Sequence, residues 1–151
     1  MGDADGRVTG AVAASVQPDA PMLASVERLA RFIGAGGEGS AADIFATGDV
    51  TIIENFAPYL FSGAGAVQAW TSGMRAHLAG LSELRHRFGQ PHNFSRSGDQ
   101  VFFSLPTHWS GLARGKAFSE AGGWCFVLVG QHGAWRIRDY GWAVIEFSWD
   151  A

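Results

Sequence analysis

The chain has 151 residues and a formal net charge of −3 at pH 7, so it lacks the basic surface with which proteins bind nucleic acid. Its apolar share of 47% and charged share of 17% are those of a globular protein, and a chain of this length can bury a sizeable core. The aromatic share of 13%, which includes 6 tryptophans, exceeds the need of one small core and favours a pocket or a subunit interface.

Membrane insertion and disulfide chemistry are also disfavoured. No apolar run approaches the ~20 residues of a membrane span, and Asp3 and Asp5 stand where a secretory signal would carry positive charge. We therefore expect a cytoplasmic protein with no membrane partner. The single cysteine, Cys125, excludes an intramolecular disulfide, and its apolar neighbours favour a buried, unreactive thiol.

The N-terminal half predicts three helices after a tail. Residues 1–18 lack apolar periodicity, which predicts a flexible tail ahead of a single domain at residues 19–151. Apolar residues at three- and four-residue steps indicate two longer helices, and a capping-box pattern indicates a short one between them. The predicted helices are residues 20–33 with Asp19 as cap, a short helix between Ser40 and Gly48, and a helix that follows Gly65 and ends near Gly80.

The C-terminal half predicts strands. Helices that come first and an antiparallel meander that comes last indicate an α+β fold. The β-branched run at residues 50–53 predicts the first strand, and Pro58 separates it from a shorter second strand at residues 59–61. The further predicted strands are residues 83–88, 93–96, 101–111, 113–118, 124–129 and 135–147, with turns at residues 97–99, 120–123 and 130–133.

The strand at residues 124–129 is apolar at every position, whereas a half-exposed strand alternates. Such a strand is covered on both faces. Because the helices can cover only one face of the sheet, a second subunit is expected on the other. The pattern therefore predicts a homodimer joined through the sheet.

Several short segments match a known family pattern in their order and spacing. They are Ile44-Phe45-Ala46, the strand from Asp49 to Glu54, Phe61-Ser62-Gly63 opening Ala66 to Trp70, Leu84 to Gly89, Ser97 to Val101, and Gly133 to Ile137. Over residues 22–147 the chain resembles the nuclear transport factor 2-like superfamily, in particular its SnoaL-like members. The resemblance implies three helices on a curved antiparallel sheet that forms a cone with an apolar pocket, a cystatin-like roll, usually assembled as a dimer. That fold hosts many reactions, so function has to be argued from the site.

Two branches of this superfamily suggest catalytic residues. In ketosteroid isomerases, a carboxylate at the end of the first strand moves the proton, and Glu54 falls there or one residue away. Their tyrosine and second acid would fall at Leu29 and near Cys125, so that donor pair is missing. In scytalone dehydratase, a strand histidine matches His86, and the strand of its second histidine matches that of His108. Its first-helix tyrosine and aspartate would fall near residues 33–34, which cannot do acid–base work.

His86 and Asp139 are the main catalytic candidates, with Glu54 as a further carboxylate. His86 alternates with Leu84 and Phe88, which indicates that it faces inward as a possible acid or base. Asp139 follows Trp135 and Ile137 on one strand face, and SnoaL-like cyclases carry their acid–base aspartate on the last strand. The alternatives are a hydrogen-bonded core histidine for His86 and an ion pair with an arginine such as Arg114 for Asp139.

The remaining pocket candidates are Tyr59, Trp70, His108 and Trp142, although Trp70 also suits the core and His108 a surface. We predict no metal, because the histidines lack ligand spacing, and no cofactor, because Gly63 and Gly65 lack the context of a nucleotide loop. Together these patterns predict a protein that binds a small apolar molecule. One hypothesis is a cofactor-free lyase or isomerase that moves a proton on an apolar cyclic substrate. The alternative is a non-catalytic ligand-binding or structural dimerisation domain.

Overall fold

The computed structural model describes residues 17–150, which form two helices and a seven-stranded sheet. The predicted tail falls mostly outside these residues, and Pro18 at its end is buried. The helices are α1 (Ala20–Gly34) and α2 (Ala66–Leu78). The strands are β1 (Val50–Ile53), β2 (Leu60–Gly63), β3 (Leu81–Phe88), β4 (His92–Ser97), β5 (Gln100–Ala113), β6 (Lys116–Gln131) and β7 (Ala134–Trp149).

The predicted short helix between α1 and β1 is wrong, so the described residues hold two helices and not three. The Ser40 hydroxyl does accept a backbone hydrogen bond, but from the Ala42 amide at 3.1 Å and not in a capping box. The next backbone groups pair with β7: the Ile137 amide donates to Ile44 at 3.0 Å, and the Ala46 amide donates to Ile137 at 2.8 Å. Because β7 satisfies these backbone groups, the segment forms a turn and a bridge instead of a helix.

The sheet order is β2-β1-β7-β6-β5-β3, and β4 also pairs with β5. All pairings are antiparallel except that of β1 with β7, which is parallel, so the expectation of a purely antiparallel sheet needs this correction. The predicted turn at residues 120–123 is also wrong, because Gly122 and Gly123 lie inside β6. The β5–β6 turn is at Arg114 and Gly115, whose φ angles are 51° and 84°.

A bulge in β7 decides which side chains face the helices. Leu128 pairs with Ile137, but the next β6 residue, Val127, pairs with Asp139, which leaves Arg138 as an extra residue. A one-residue insertion moves every later side chain to the other face of the sheet. Consequently Tyr140 and Trp142 are buried among the core, while Asp139 turns to the outer face.

The core lies between the helices and the inner face of the sheet, where Trp124, Phe126 and Leu128 are buried. The intervening side chains of β6 point to the outer face. Cys125 is exposed there, so the expectation of a buried thiol is wrong for the single chain. No helix in residues 17–150 is long and apolar enough to cross a membrane.

Candidate functional site

An open, mainly apolar cavity lies between the helices and one end of the sheet. Trp109, Phe118, Trp124 and Trp142 supply aromatic walls from the three long strands, and Ile33, Met74, Leu78, Leu81 and Leu84 supply aliphatic ones. The polar side chains in its lining are few. They are Glu54, Asn55, His77 and Glu120.

Glu54 follows directly after β1 and is only 5% exposed. Its Oε2 atom accepts hydrogen bonds from the indole Nε1 of Trp70, at 3.1 Å, and from the hydroxyl of Tyr140. These donors come from α2 and β7, so three separate elements fix one carboxyl group. Burial raises the pKa of Glu54, and the nearby charge of Glu120 raises it further, although the hydrogen bonds from Tyr140 and Trp70 oppose the shift.

The donors to Glu54 are held firmly. Trp70 is fully buried, with Phe32 and Phe45 ring centroids 5.7 and 5.2 Å away. Burial, and then the charge of Glu54, raise the pKa of Tyr140 well above 10.0, so its hydroxyl stays protonated and donates. The carboxylate of Glu54 is therefore both desolvated and oriented.

Glu120 and His77 complete the titratable groups in the cavity lining. Burial raises the pKa of Glu120, and a hydrogen bond from the Trp142 side chain partly offsets it. Burial lowers the pKa of His77, whose ring stacks on that of Phe56 at 4.7 Å. All three pKa shifts favour the uncharged form, so the cavity suits a neutral, apolar ligand.

His86 faces inward from β3, but it does not line this cavity. Its Nε2 lies 3.0 Å from Oε1 of Glu27 on α1, and its ring packs against Phe88 and Trp109. Burial alone would raise the pKa of Glu27, but hydrogen bonds from His86 and Arg31 outweigh it and lower the pKa. His86 therefore matches the alternative of a hydrogen-bonded histidine that joins α1 to the sheet.

Replacing His86 with glutamine is expected to cost about 1 kcal/mol of stability, because Glu27 loses a hydrogen-bonding partner. Chemical denaturation measures the change, and Glu27→Gln should cost a similar amount, with little further loss in the double variant. Because the folded-state pKa of Glu27 is lowered, its stabilising effect is present above 4.5 and is lost as the pH falls through the lower folded-state pKa. A loss of ligand binding without a loss of stability would contradict this structural role.

Asp139 lies on the outer face of the sheet, where its carboxylate accepts hydrogen bonds from a backbone amide and from a neighbouring side chain. Its Oδ1 accepts from the Thr51 amide at 3.2 Å, and its Oδ2 accepts from Nε of Arg138 at 2.9 Å. The ion-pair partner is thus Arg138 and not Arg114. Neither His86 nor Asp139 lines the cavity. Asp139 lies on the opposite face of the sheet from His86 because of the bulge at Arg138.

Of the predicted pocket-lining residues, Trp142 lies in the cavity wall and the others do not. Trp70 stands behind Glu54 in the core and reaches it through its indole N–H. Tyr59 is 58% exposed in the β1–β2 connection. His108 falls between the buried residues Thr107 and Trp109, so it faces the outer side of β5.

Glu120, Trp124, Tyr140 and His77 are the site residues that the sequence analysis missed. The sequence did contain a signal for Glu120 and Trp124. Phe118, Glu120, Gly122 and Trp124 occur at every second position, as on one face of a strand, but Gly122 and Gly123 were interpreted as part of a turn. Tyr140 alternates with Trp142 in the same way. His77 carried no distinguishing signal, because a histidine near a helix C-terminus is also typical of an exposed residue.

No family model matches this sequence, and no curated protein matches it either. Solved structures do match. A protein from Kribbella flavida superposes with a TM-score of 0.71 at 11% identity, covering 85% of this chain and 90% of that one. A hexachlorocyclohexane dehydrochlorinase gives a TM-score of 0.65 at 14% identity, covering 85% and 88%. A nuclear transport factor 2-like superfamily protein from Salmonella enterica gives 0.63 at 14% identity, covering 81% and 87%. Identities this low establish the fold alone, and the chain has the nuclear transport factor 2-like fold.

Proposed function

We propose that the protein is a lyase or isomerase that moves a proton on a neutral, apolar ring substrate, with Glu54 as the general base. The observation that carries this proposal is the carboxyl group of Glu54, which is buried in an aromatic cavity and oriented by two donors on one oxygen. A carboxylate with a raised pKa is a stronger base than one in water.

The other carboxyl group of the cavity complements Glu54. Because burial raises the pKa of Glu120, a larger share of it carries a proton near neutral pH than in an ordinary glutamic acid. Glu54 would remove a proton from a carbon of the substrate, and Glu120 would give a proton to the atom that gains negative charge or departs. The side chains of Tyr140 and Trp70 donate to Glu54, whereas that of Trp142 donates to Glu120, and two carboxyl groups in different surroundings are a common way to divide acid and base roles.

The chemistry of the lining supports a neutral substrate. An anionic ligand would lose solvation in this apolar cavity and would meet no positive charge among the described lining residues, since burial also lowers the pKa of His77. One structural neighbour is named a hexachlorocyclohexane dehydrochlorinase, which is a reaction on an apolar ring. That likeness is compatible with proton removal in this cavity.

Proton exchange tests the proposal directly. The wild-type protein is incubated in D₂O with a panel of cyclic ketones and of chlorinated or hydroxylated rings, and NMR follows loss of the acidic C–H signal and formation of alkene. At least one compound is expected to exchange or eliminate faster than in buffer. If ligands stabilise the protein against heat but none of them reacts, catalysis is excluded for this panel and the binding function below is favoured.

A ligand-binding protein without turnover is the second candidate. One observation favours it: both donors, Trp70 and Tyr140, already engage the same Oε2 atom of Glu54. Such a carboxyl group could serve as a structural anchor at the base of the cavity. The proton-exchange experiment separates the two functions, because only catalysis needs Glu54 to accept a proton from the ligand.

We also propose that the protein forms a homodimer through the outer face of the sheet. Neighbouring strands place small, uncharged residues side by side at its centre, in register: Ser104, Cys125 and Gly141 form one row, and Pro106, Gly123 and Ala143 form the next. Exposed apolar side chains, namely Ile53, Leu60 and Phe102, occur on the same side of the sheet. Such a surface of small uncharged and apolar side chains suits a second copy of the sheet.

Replacing Val127 with arginine is expected to convert the dimer to monomer, because Val127 is half-buried on the outer face whereas Leu128 points into the core. Size exclusion with light scattering measures the mass at micromolar concentration. Ser72→Arg, on the exposed side of α2, is the control and should remain dimeric. The exposed thiol of Cys125 should react faster with a thiol reagent in the monomeric variant. A wild-type protein that is monomeric at this concentration would exclude the dimer.

A further inference from the structure

One edge of the open cavity continues into exposed aromatic side chains near the C-terminal end of β7. Phe118 and Glu120 line the cavity, and the strand pairing sets Trp149 opposite Phe118 and Phe147 opposite Glu120. Directly paired residues of neighbouring strands lie on the same face of a sheet, so Phe147 and Trp149 are on the face that holds the cavity. We call these two residues the aromatic shelf.

The aromatic shelf contacts the cavity wall and is open to solvent. The ring of Phe147 stacks on that of Phe118, with centroids 5.7 Å apart and planes 19° from parallel, and Trp149 meets Phe147 edge-on at 5.1 Å. Phe118 is 5% exposed, whereas Phe147 is 45% and Trp149 50% exposed. A cluster of large, exposed apolar side chains beside a cavity is typical of a binding surface. The proposed dimer does not cover the shelf, because it uses the outer face of the sheet.

A positive charge lies at the far end of the aromatic shelf. The Nζ atom of Lys116 is 4.8 Å from the centre of the Trp149 ring, and no carboxylate in residues 17–150 forms an ion pair with it. Arg114, in the β5–β6 turn, adds a second positive charge at this end of the sheet. The described part of the cavity lining, in contrast, contains no lysine or arginine. The positive charges are therefore outside the cavity, next to the shelf.

We propose that the protein binds an amphiphilic ligand whose apolar ring lies in the cavity, whose chain lies over the aromatic shelf and whose anionic end group reaches Lys116. The inference rests on the proposed function, because it names the ligand class of the same site. Two observations support it together. The apolar surface is continuous from the wall at Phe118 to Trp149, and a cation stands at the end of that surface but not in the cavity lining.

The length of β6 between the cavity and the cation indicates a chain of moderate length. At ~3.3 Å per residue, Glu120 and Lys116 are about 13 Å apart along the strand. An anion on a short chain would stay inside the cavity, where it loses solvation beside Glu54 and Glu120. An anion on a longer chain stays in water and gains the ammonium group of Lys116. Chain length should therefore decide whether a negative charge helps or weakens binding.

Binding of matched ligands tests the proposal. The probes are cyclohexylhexanoate, its methyl ester, which has nearly the same shape without the charge, and cyclohexylacetate, whose chain is too short to leave the cavity; calorimetry gives their affinities. The wild type is expected to bind the hexanoate about threefold more tightly than the ester, which corresponds to one exposed ion pair. This ratio should fall as salt is added, because salt screens exposed charges. Cyclohexylacetate should bind more weakly than either.

Variants of the aromatic shelf and of the cation separate the two contributions. Trp149→Ala should weaken the hexanoate and the ester alike, by about fivefold, because the chain loses its apolar support, whereas Trp149→Phe should keep most of the affinity. Lys116→Gln should bring the ratio of the two affinities to about one, and Lys116→Arg should keep it. Arg87→Gln is the matched control, because it removes an equal charge from an exposed position on the outer face of β3. It should leave the ratio unchanged.

Several results would overturn the proposal. They are an affinity of Trp149→Ala for the hexanoate equal to that of the wild type, an unchanged ratio in Lys116→Gln, and a wild type that binds hexanoate and ester equally at every salt concentration. The last measurement needs no variant, so it also covers the case in which Trp149→Ala does not fold. A second copy of the chain and a lipid surface are the alternative occupants of the aromatic shelf. A lower mass of Trp149→Ala in light scattering, or Trp149-dependent sedimentation with anionic vesicles, without binding of the hexanoate, would assign the shelf to one of them and not to the ligand.

A probe without a chain separates this proposal from the proposed catalysis. Cyclohexanone cannot reach the aromatic shelf, so its affinity and its rate of proton exchange should be the same in Trp149→Ala as in the wild type. A variant that loses this exchange along with hexanoate binding has a damaged cavity, which would contradict a separate role for the shelf. The affinities of the other probes need no turnover, so each proposal can fail while the other stands.

Discussion

Glu54→Gln is expected to lower turnover by about 10²- to 10⁴-fold, which is the usual contribution of a positioned acid or base. Glutamine has the same shape as glutamate, and its carbonyl oxygen can still accept the hydrogen bonds that Trp70 and Tyr140 give to Oε2. It cannot accept a proton from carbon. The initial rate of proton exchange or elimination measures the loss, and circular dichroism shows that the fold survives.

The pH dependence of the wild-type reaction rate should also identify Glu54 as the base. Burial raises the pKa of Glu54 above its ordinary value of 4.5, and the base acts only when it is ionised. The rate should therefore fall with falling pH through an apparent pKa above 4.5. Tyr140→Phe removes one hydrogen bond to the carboxylate and should move this pKa still higher. If the rate of Tyr140→Phe falls at low pH with the same apparent pKa as that of the wild type, Glu54 is not the base.

The stability of Glu54→Gln should change in the opposite sense to its activity. A carboxyl whose folded-state pKa is raised above 4.5 favours folding below that pH, and this contribution is lost as pH rises through the folded-state value. Above that folded-state pKa the wild type therefore buries a charge that the variant does not. Glu54→Gln should melt at a higher temperature near pH 8 and show little difference near pH 4. A variant that is less stable at both pH values and retains turnover would exclude Glu54 as the base.

Gly122→Ala is expected to have the largest effect on the sheet. A Cβ added at Gly122 would lie 2.5 Å from the backbone oxygen of Ala143 and 2.5 Å from two ring carbons of Trp142. Both groups are held in place, because Ala143 belongs to a paired strand and the Trp142 ring belongs to the cavity wall. We expect a loss of about 1–3 kcal/mol, typical of overpacking, and a melting temperature lower by roughly 2–4 °C for each kcal/mol.

Gly123→Ala is the matched control for this variant. Gly123 is the next residue in β6 and points to the other face, where a Cβ would meet no atom within 4 Å in the single chain. Its melting temperature should stay close to that of the wild type, and light scattering at the same concentration shows whether the oligomeric state is kept. Gly122→Ala should also weaken ligand binding, because it displaces Trp142. Equal stabilities of the two variants would show that this close approach does not matter.

The sequence alone determined the elements whose patterns are local. The apolar spacing of α1 and α2, the cap at Asp19 and the β-branched run of β1 predicted these elements to within a few residues, because helix and strand periodicity depends on neighbours along the chain. The order of helices and strands indicated the α+β class for the same reason. Glu54 was identified as a candidate through the resemblance to ketosteroid isomerases, because it follows the first strand as their proton-moving carboxylate does.

Only the tertiary structure decided which side chains meet. The bulge at Arg138 turns Asp139 outward and Tyr140 inward, and nothing in the sequence of β7 marks the extra residue, because a bulge depends on pairing with β6. Gly122 and Gly123 resemble a turn in the sequence, but in the structure β5 and β7 pair with them on both sides, so β6 continues through them. Because β6 is continuous there, Glu120 lies on the strand face that lines the cavity. His86 faces inward as its alternation indicates, but the position of α1 gives it Glu27 as a partner and keeps it out of the cavity. Local periodicity determines on which face of a strand a side chain lies. Packing between distant segments determines which residues contact that side chain.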